Sequence, residues 1–163
     1  TSYGRGMRRL LLLVLAVLVA AFGAFVVGMR RKSPILQDRV RQFSKHVMTP
    51  AVLPTAGTAG QGNGVVHHRG RTSGREYATP VTPLPIAGGF LIGLPYTARV
   101  DWARNILAAG GATVEFDGER HEVTDPVVVS YDEVEELLPR GVRLGAKVFA
   151  LDEFLRVRTV AKG

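Results

Sequence analysis

The chain has no cysteine among its 163 residues. That excludes disulfides, zinc–thiolate sites and a cysteine nucleophile. It has one tryptophan and four tyrosines, and no stripe of interleaved aromatic and basic residues of the kind that stacks nucleobases. No G-x-S-x-G, no phosphate-binding G-x-x-x-x-G-K and no metal-ligand spacing occurs. His67 and His68 are adjacent on a β-like run, so one faces inward and one outward, and they cannot chelate one ion. The acids at Asp132, Glu133, Glu135 and Glu136 read as a solvated helix start favoured by the helix dipole. Acidic residues are missing altogether from positions 1–32.

That last absence locates the charge. The formal net charge is +7, but residues 33–163 hold 15 basic and 14 acidic side chains. The excess therefore flanks an apolar run and points to a membrane surface, with nucleic acid excluded as a partner. Leu10 to Gly28 is 19 residues without a charge, close to the roughly 20 that a helix needs to cross a bilayer. A cleaved signal peptide is the rival reading, since Ala21-Phe22-Gly23 resembles a small-x-small site. The run continues through Phe25-Val26-Val27 and stops at Arg30-Arg31-Lys32, which favours a retained single-pass anchor in contact with lipid over residues 10–28. Arg39, Arg41 and Lys45 extend the basic flank, so the positive-inside rule places the folded part in the cytoplasm. Met7 is a candidate natural start.

Ser33-Pro34 opens a predicted helix with Ile35, Leu36, Val40, Phe43 and Val47 along one stripe. It reads equally as a helix on the membrane surface or one packed on the domain. Residues 49–64 form a glycine- and proline-rich linker. From Gly64 the pattern is β. Val65-Val66 leads into Gly70-Arg71-Thr72-Ser73-Gly74, and Tyr77 to Thr82 returns, with Pro80 marking an edge or bulge. Phe90 to Leu94 is a third strand and Asp101 to Ala109 a helix stopped by Gly110-Gly111. Ala112–Phe116 and Arg120–Thr124 pair about Asp117-Gly118. Val127 to Val129 is a separate short run, and Ser130-Tyr131-Asp132-Glu133 a capping box opening a helix to Leu138. Pro139 to Lys147 reads as irregular, and Phe154 to Val160 as the last strand. Five or six strands with two small helices give an α+β class and a closed or split β-barrel.

Two segments carry candidate chemistry. The bend at 70–74 places an arginine fork, two hydroxyls and Arg75 between glycines, donors suited to a phosphate or carboxylate. Trp102 and Asn105 are three residues apart, on one face near a helix N-terminus, where a planar ring and an anion are both accommodated.

In order along the chain stand Met48-Thr49-Pro50 with Leu53 to Gly57, Gly70 to Arg75, Thr79-Pro80-Val81, Leu94-Pro95-Tyr96, Asp101-Trp102-Ala103-Arg104-Asn105 and Ala108-Ala109-Gly110. This ordered set resembles the deazaflavin-dependent nitroreductase and quinone reductase family over about residues 40–130. The resemblance implies a split β-barrel over 64–163, following an anchor at 1–32 and a helix and linker at 33–63. It implies reduced coenzyme F-420 as the hydride carrier, with FMN as the alternative cofactor. It implies a lipophilic acceptor such as a quinone or nitroaromatic. By the same resemblance Arg71, Thr72 and Ser73 meet the anionic tail or phosphate, with Arg75 sharing that role, and Tyr77, Ala78, Thr79, Pro80 and Val81 line the deazaflavin's backbone-contact edge. Leu94, Pro95 and Tyr96 flank phosphate or ring, Trp102 and Asn105 close the pocket, and Tyr96 is the candidate proton donor or oxyanion partner contacting the acceptor. The pattern departs where the family often has a lysine in place of Thr72 and a basic residue in place of Tyr77. The segment Val142 to Phe154 also lacks the tyrosines that contact acceptor in some members. A non-catalytic membrane-surface module binding an anionic ligand is the alternative.

Overall fold

The computed structural model describes residues 3–31, 54–60, 62–95 and 97–161. The expected helix after Ser33, the Met48-Thr49-Pro50 motif and Tyr96 lie outside the described residues. Seven strands run in the order β1 (Gly64–Arg69), β2 (Glu76–Val81), β3 (Pro83–Ile86), β4 (Gly89–Gly93), β5 (Gly111–Phe116), β6 (Glu119–Ser130) and β7 (Glu153–Thr159). The helices are α1 (Tyr3–Arg30), α2 (Asp101–Ala109), α3 (Tyr131–Val134) with a 3-10 turn at Glu135–Leu137, and α4 (Arg140–Phe149).

The strands form one antiparallel sheet in the order β2-β1-β5-β6-β7-β4-β3. Its two edges, β2 and β3, are joined by the single residue Thr82. Consecutive Cα atoms are about 3.8 Å apart, so Val81 and Pro83 lie within about 7.6 Å. In a flat sheet the two edges would be roughly 29 Å apart. The sheet must therefore roll up until its edges nearly meet, which makes it an α+β split β-barrel. Three edge residues, Pro80, Pro83 and Pro85, have no N–H to donate, and they discourage ladder pairing across the seam. At one end the seam is tight. A Cβ on Gly64 would stand 2.6 Å from the Pro83 ring.

One core cluster fills the concave side. Ala103 and Ile106 of α2 pack on Val66, Val114, Val123, Leu155 and Val157. A second cluster lies on the other face of the same sheet. There Leu91, Val129 and Phe154 meet Val134, Leu138 and Ala146 of the helical segment. Strand β4 is thus buried on both faces, Phe90 and Ile92 inward and Leu91 outward, which accounts for its unbroken apolar sequence.

Four details differ from the sequence-based expectation. A seventh strand, β3, occupies a stretch whose two prolines disguise it; an edge strand tolerates them. The two expected runs 120–124 and 127–129 are one strand, β6, bent where the register shifts between Thr124 and Val127. Asp125 there has φ +51°, and its carboxylate pairs with Arg158. The acidic helix after Ser130 is a single turn followed by the 3-10 turn. Residues 140–149, expected to be irregular, form α4. Gly141 and Gly145 each lower helix propensity by about 1 kcal/mol, so the sequence hides the helix, which forms where Ala146 packs into the second cluster.

Helix α1 is long and apolar enough over Leu10–Gly28 to cross a membrane, and none of that stretch is buried. Its end touches the barrel's helical layer. Phe25 and Phe149 meet edge-to-face with centroids 6.4 Å apart, and Arg30 Nη1 donates to the Lys147 carbonyl at 2.7 Å. The 54–60 loop is docked on the β5–β6 turn. Gly118 N donates to Gly57 O at 2.6 Å, Gly60 N to Asp117 Oδ1 at 2.8 Å, and Ala56 is buried.

Candidate functional site

The bend between β1 and β2 closes through Gly70 N to Arg75 O and Gly74 N to Gly70 O, both 2.8 Å. Gly74 takes φ +65°, a left-handed conformation that glycine adopts without strain. Gly70 is needed for a different reason. A Cβ there would press on the Tyr77 ring at 2.9 Å and on the Ser73 hydroxyl, which lies 3.2 Å from the Tyr77 hydroxyl.

Arg71 ties this bend to α2. Its backbone N–H and Nη1 donate to Asn105 Oδ1 at 3.1 and 2.9 Å, and Nη2 donates to Asp101 Oδ1 at 3.0 Å. Asp101 and Asn105 are four residues apart and so share one face of α2. Asn105 is 5% exposed. Its Oδ1 is spent on Arg71, so Nδ2 faces His68 Nδ1 at 3.2 Å and donates to it. That leaves Nδ1 unprotonated and assigns the proton to Nε2, which lies 3.0 Å from Thr79 Oγ1. Burial is the larger cause, and His67 the smaller, that pulls the His68 pKa below its ordinary 6.5. The neutral ring is what this network requires. Tyr77 stacks on it at 5.7 Å and 20°.

One polar chain, Asp101–Arg71–Asn105–His68–Thr79, therefore joins the bend, α2, β1 and β2. It gathers Arg71, Thr79 and Asn105, and the stack on His68 adds Tyr77 and Ser73. Thr72 and Arg75 stand exposed on the same bend. Residues 77–81 divide by strand alternation. Tyr77, Thr79 and Val81 share the inner side with Val66 and His68, while Ala78 and Pro80 face outward with His67 and Val65. Their side chains fall on both faces, and β2 is an edge whose outer backbone groups are unpaired in the sheet. Leu94 is buried in the inner core and Trp102 packs partly buried against it. Pro95 is exposed on the connector leading to α2.

His68 was set aside with its neighbour in the sequence, because adjacent histidines cannot chelate. Its partners come from α2 and β2, and only its alternation with Val66 hinted at an inward position.

A second feature was not legible at all. The outer face of β2, β1, β5 and β6 holds an open cleft of about 720 Å³ whose lining includes His67, Arg69, Glu76, Ala78, Thr113, Arg120 and Glu122. Its charges are internally compensated. His67 Nε2 and Arg120 Nε lie 3.1 and 3.3 Å from Glu115 Oε2, Arg69 pairs with Glu76 at 3.2 Å, and Thr113 donates to Glu122 at 2.8 Å. Tyr77 and His68 also line it, so the cleft adjoins the polar chain.

No protein-family profile and no curated protein matches the chain. Solved structures do. A domain-swapped dimer aligns with 75% of this chain and 98% of its own at 13% identity, with a TM-score of 0.46. A protein described as an F420-H2 dependent reductase, FDR-A, aligns with 59% of this chain and 94% of its own at 12% identity and a TM-score of 0.40. HutZ, described as a heme storage protein from Vibrio cholerae, aligns with 63% and 84% at 13% identity and a TM-score of 0.42. At these identities the likeness concerns fold alone.

Proposed function

We propose that this protein is a membrane-anchored reductase that passes hydride from reduced coenzyme F-420 to a lipophilic acceptor such as a quinone. The observation that carries the reading is the union of the 70–74 bend with α2 through Arg71, Asp101 and Asn105. Two motifs of the family resemblance, 30 residues or more apart in sequence, meet there.

The residues fit such a cofactor. Its phosphate and glutamate tail needs guanidinium, hydroxyl and N–H donors. Arg71 uses two of its side-chain N–H groups on Asn105 and Asp101 and has three more to offer. Its side chain remains 26% exposed. Thr72, Ser73 and Arg75 add donors on the exposed bend. The tricyclic ring needs a flat wall, and Tyr77, 44% exposed and backed by His68, offers one beside the cleft. When bound, the reduced deazaflavin supplies the hydride. The chain's own part is to hold and orient. Asn105 acts as a positioning residue for Arg71, Ser73 fixes the Tyr77 hydroxyl, and the edge of β2 offers backbone groups. Tyr96 is the candidate proton donor or oxyanion partner beside the hydride acceptor.

The anchor fits the acceptor, because a tether concentrates the site where lipophilic molecules are found. The apolar run's continuation past Ala21-Phe22-Gly23 to the basic stop at Arg30-Arg31-Lys32 supports a retained helix over a cleaved leader. The test is a fluorescence titration of the full chain, in detergent or nanodiscs, with F-420. Saturable binding is expected, weakened about tenfold or more by Arg71→Ala. Absence of binding removes the reading, and FMN binding instead redirects it. A non-catalytic membrane-surface module that binds an anionic ligand is the second reading, favoured by the lack of tyrosine from Val142 to Phe154. Turnover of a soluble quinone with the reduced coenzyme separates the two.

A further inference from the structure

Outside α1, the most exposed large apolar side chain among the described residues is Leu144, at 67%. It belongs to α4, on the side away from the core. Ala146, which packs into the second cluster, lies about 200° around the helix from it at 100° per residue. Arg140 is one turn before Leu144 and Lys147 three residues after, so both share its face. Exposed Leu137 lies three residues before the helix. A leucine bracketed by long basic side chains on a solvent-facing helix surface is the arrangement of a helix lying in a membrane interface.

What covers this face follows from where α4 sits along α1. The uncharged run of α1 ends at Gly28. Phe25 is three residues inside that end, about 4.5 Å along the axis, and it is the residue that Phe149 touches. Arg30, just beyond the end, caps the Lys147 carbonyl. The last turn of α4 is thereby held at the depth where apolar run gives way to charge. The electrostatics agree. Arg30 and Arg31 end α1, Arg140, Arg143 and Lys147 lie on α4, and Glu135 beside α4 is engaged by Lys147 at 2.7 Å and Tyr131 at 3.0 Å.

We propose that α4 is a second membrane contact: it lies in the plane of an anionic leaflet beside the exit of α1, with Leu144 among the upper acyl chains and Arg140 and Arg143 at the lipid phosphates. This rests on the reading of α1 as a retained spanning helix. Two contacts, one spanning and one in-plane, restrict rotation of the barrel about α1, which a single tether would leave free.

The absence of cysteine makes the test direct. Single variants Leu18→Cys, Leu144→Cys and Glu122→Cys of the full chain each take one environment-sensitive fluorophore, in α1, in α4 and in the outer cleft. The protein is reconstituted in vesicles of phosphatidylcholine with a minority of phosphatidylglycerol. Quenching by nitroxide-bearing lipids and by aqueous iodide is read at each site. The expected result is that the label at 144 is quenched by nitroxide lipid several-fold more than the label at 122, and by iodide several-fold less. The contrast should shrink in phosphatidylcholine alone or in high salt. If 18 is quenched by lipid and 144 behaves like 122, the in-plane contact is overturned while the anchor stands. If neither 18 nor 144 meets lipid, the anchor reading fails and takes the contact with it. Shielding of 144 from both quenchers would show protein covering the face and overturn the proposal. A contrast indifferent to phosphatidylglycerol would overturn the anionic leaflet as occupant.

Discussion

The two halves of the sheet share one backbone pattern and differ in what covers their outer face. Around β4, β7 and the end of β6, that face carries Leu91, Val129 and Phe154 and is roofed by α3 and α4. Around β1, β2, β5 and the start of β6, it carries His67, Arg69, Thr113, Arg120 and Glu122 and is open as a cleft. One half is a double-sided core built for stability. The other spends its inner side on α2 and leaves its outer side polar, with the partly buried Arg71–Asn105–His68 chain at its margin. The surface left free for a ligand lies on the half that gives up burial.

This contrast can be broken deliberately. The largest effect is expected in the roofed half. Leu91→Ala should cost about 2–5 kcal/mol in chemical denaturation, because Leu91 is 1% exposed and cannot be replaced by solvent. A cost below about 1 kcal/mol would mean the α3–α4 roof is loosely held. Asn105→Ala should cost about 1–3 kcal/mol, since it strands the buried His68 and loosens Arg71. It should also weaken coenzyme binding, which Leu91→Ala should not do once the folded fraction is accounted for.

The pH dependence is expected to be smaller. His68 is neutral in the fold with its pKa below 6.5, so the unfolded chain binds a proton that the folded chain refuses. Its contribution is complete above about pH 6.5 and is lost as the pH falls through the window between 6.5 and the lower folded value. Denaturation midpoints should drop on acidification through that window, and His68→Gln should flatten that part of the profile. An unchanged profile would remove His68 from the network's energetics. The smallest effect belongs to the open face. Arg69→Ala breaks a pair whose side chains are largely exposed and should shift stability by no more than about 0.5 kcal/mol.

Much of the fold was legible because it is local. The alternation in 64–69, the Asp117-Gly118 hairpin and the helix ended by Gly110, which takes φ +73°, follow from residue chemistry within a few positions. Strand β3 and helix α4 escaped for the opposite reason. Prolines 83 and 85 and glycines 141 and 145 oppose the conformations they adopt, and contacts with distant residues override them. The candidate site divides the same way. The 70–74 bend and the 101–105 helix start were visible as motifs. The partnership of Arg71 with Asn105 and the neutral His68 behind Tyr77 were not, because they join residues 34 and 37 apart.

The sequence alone settled the absence of thiol chemistry, the placement of basic charge beside one long apolar run, and the turns where glycine or proline permits few conformations. Those properties are written in single residues and short spacings. Tertiary structure decided that the sheet's two edges meet at Thr82, that one outer face is roofed and the other open, and that α4 stands beside the end of α1. Each of these depends on which surfaces find one another in space, and closure of the barrel, not local propensity, selects them.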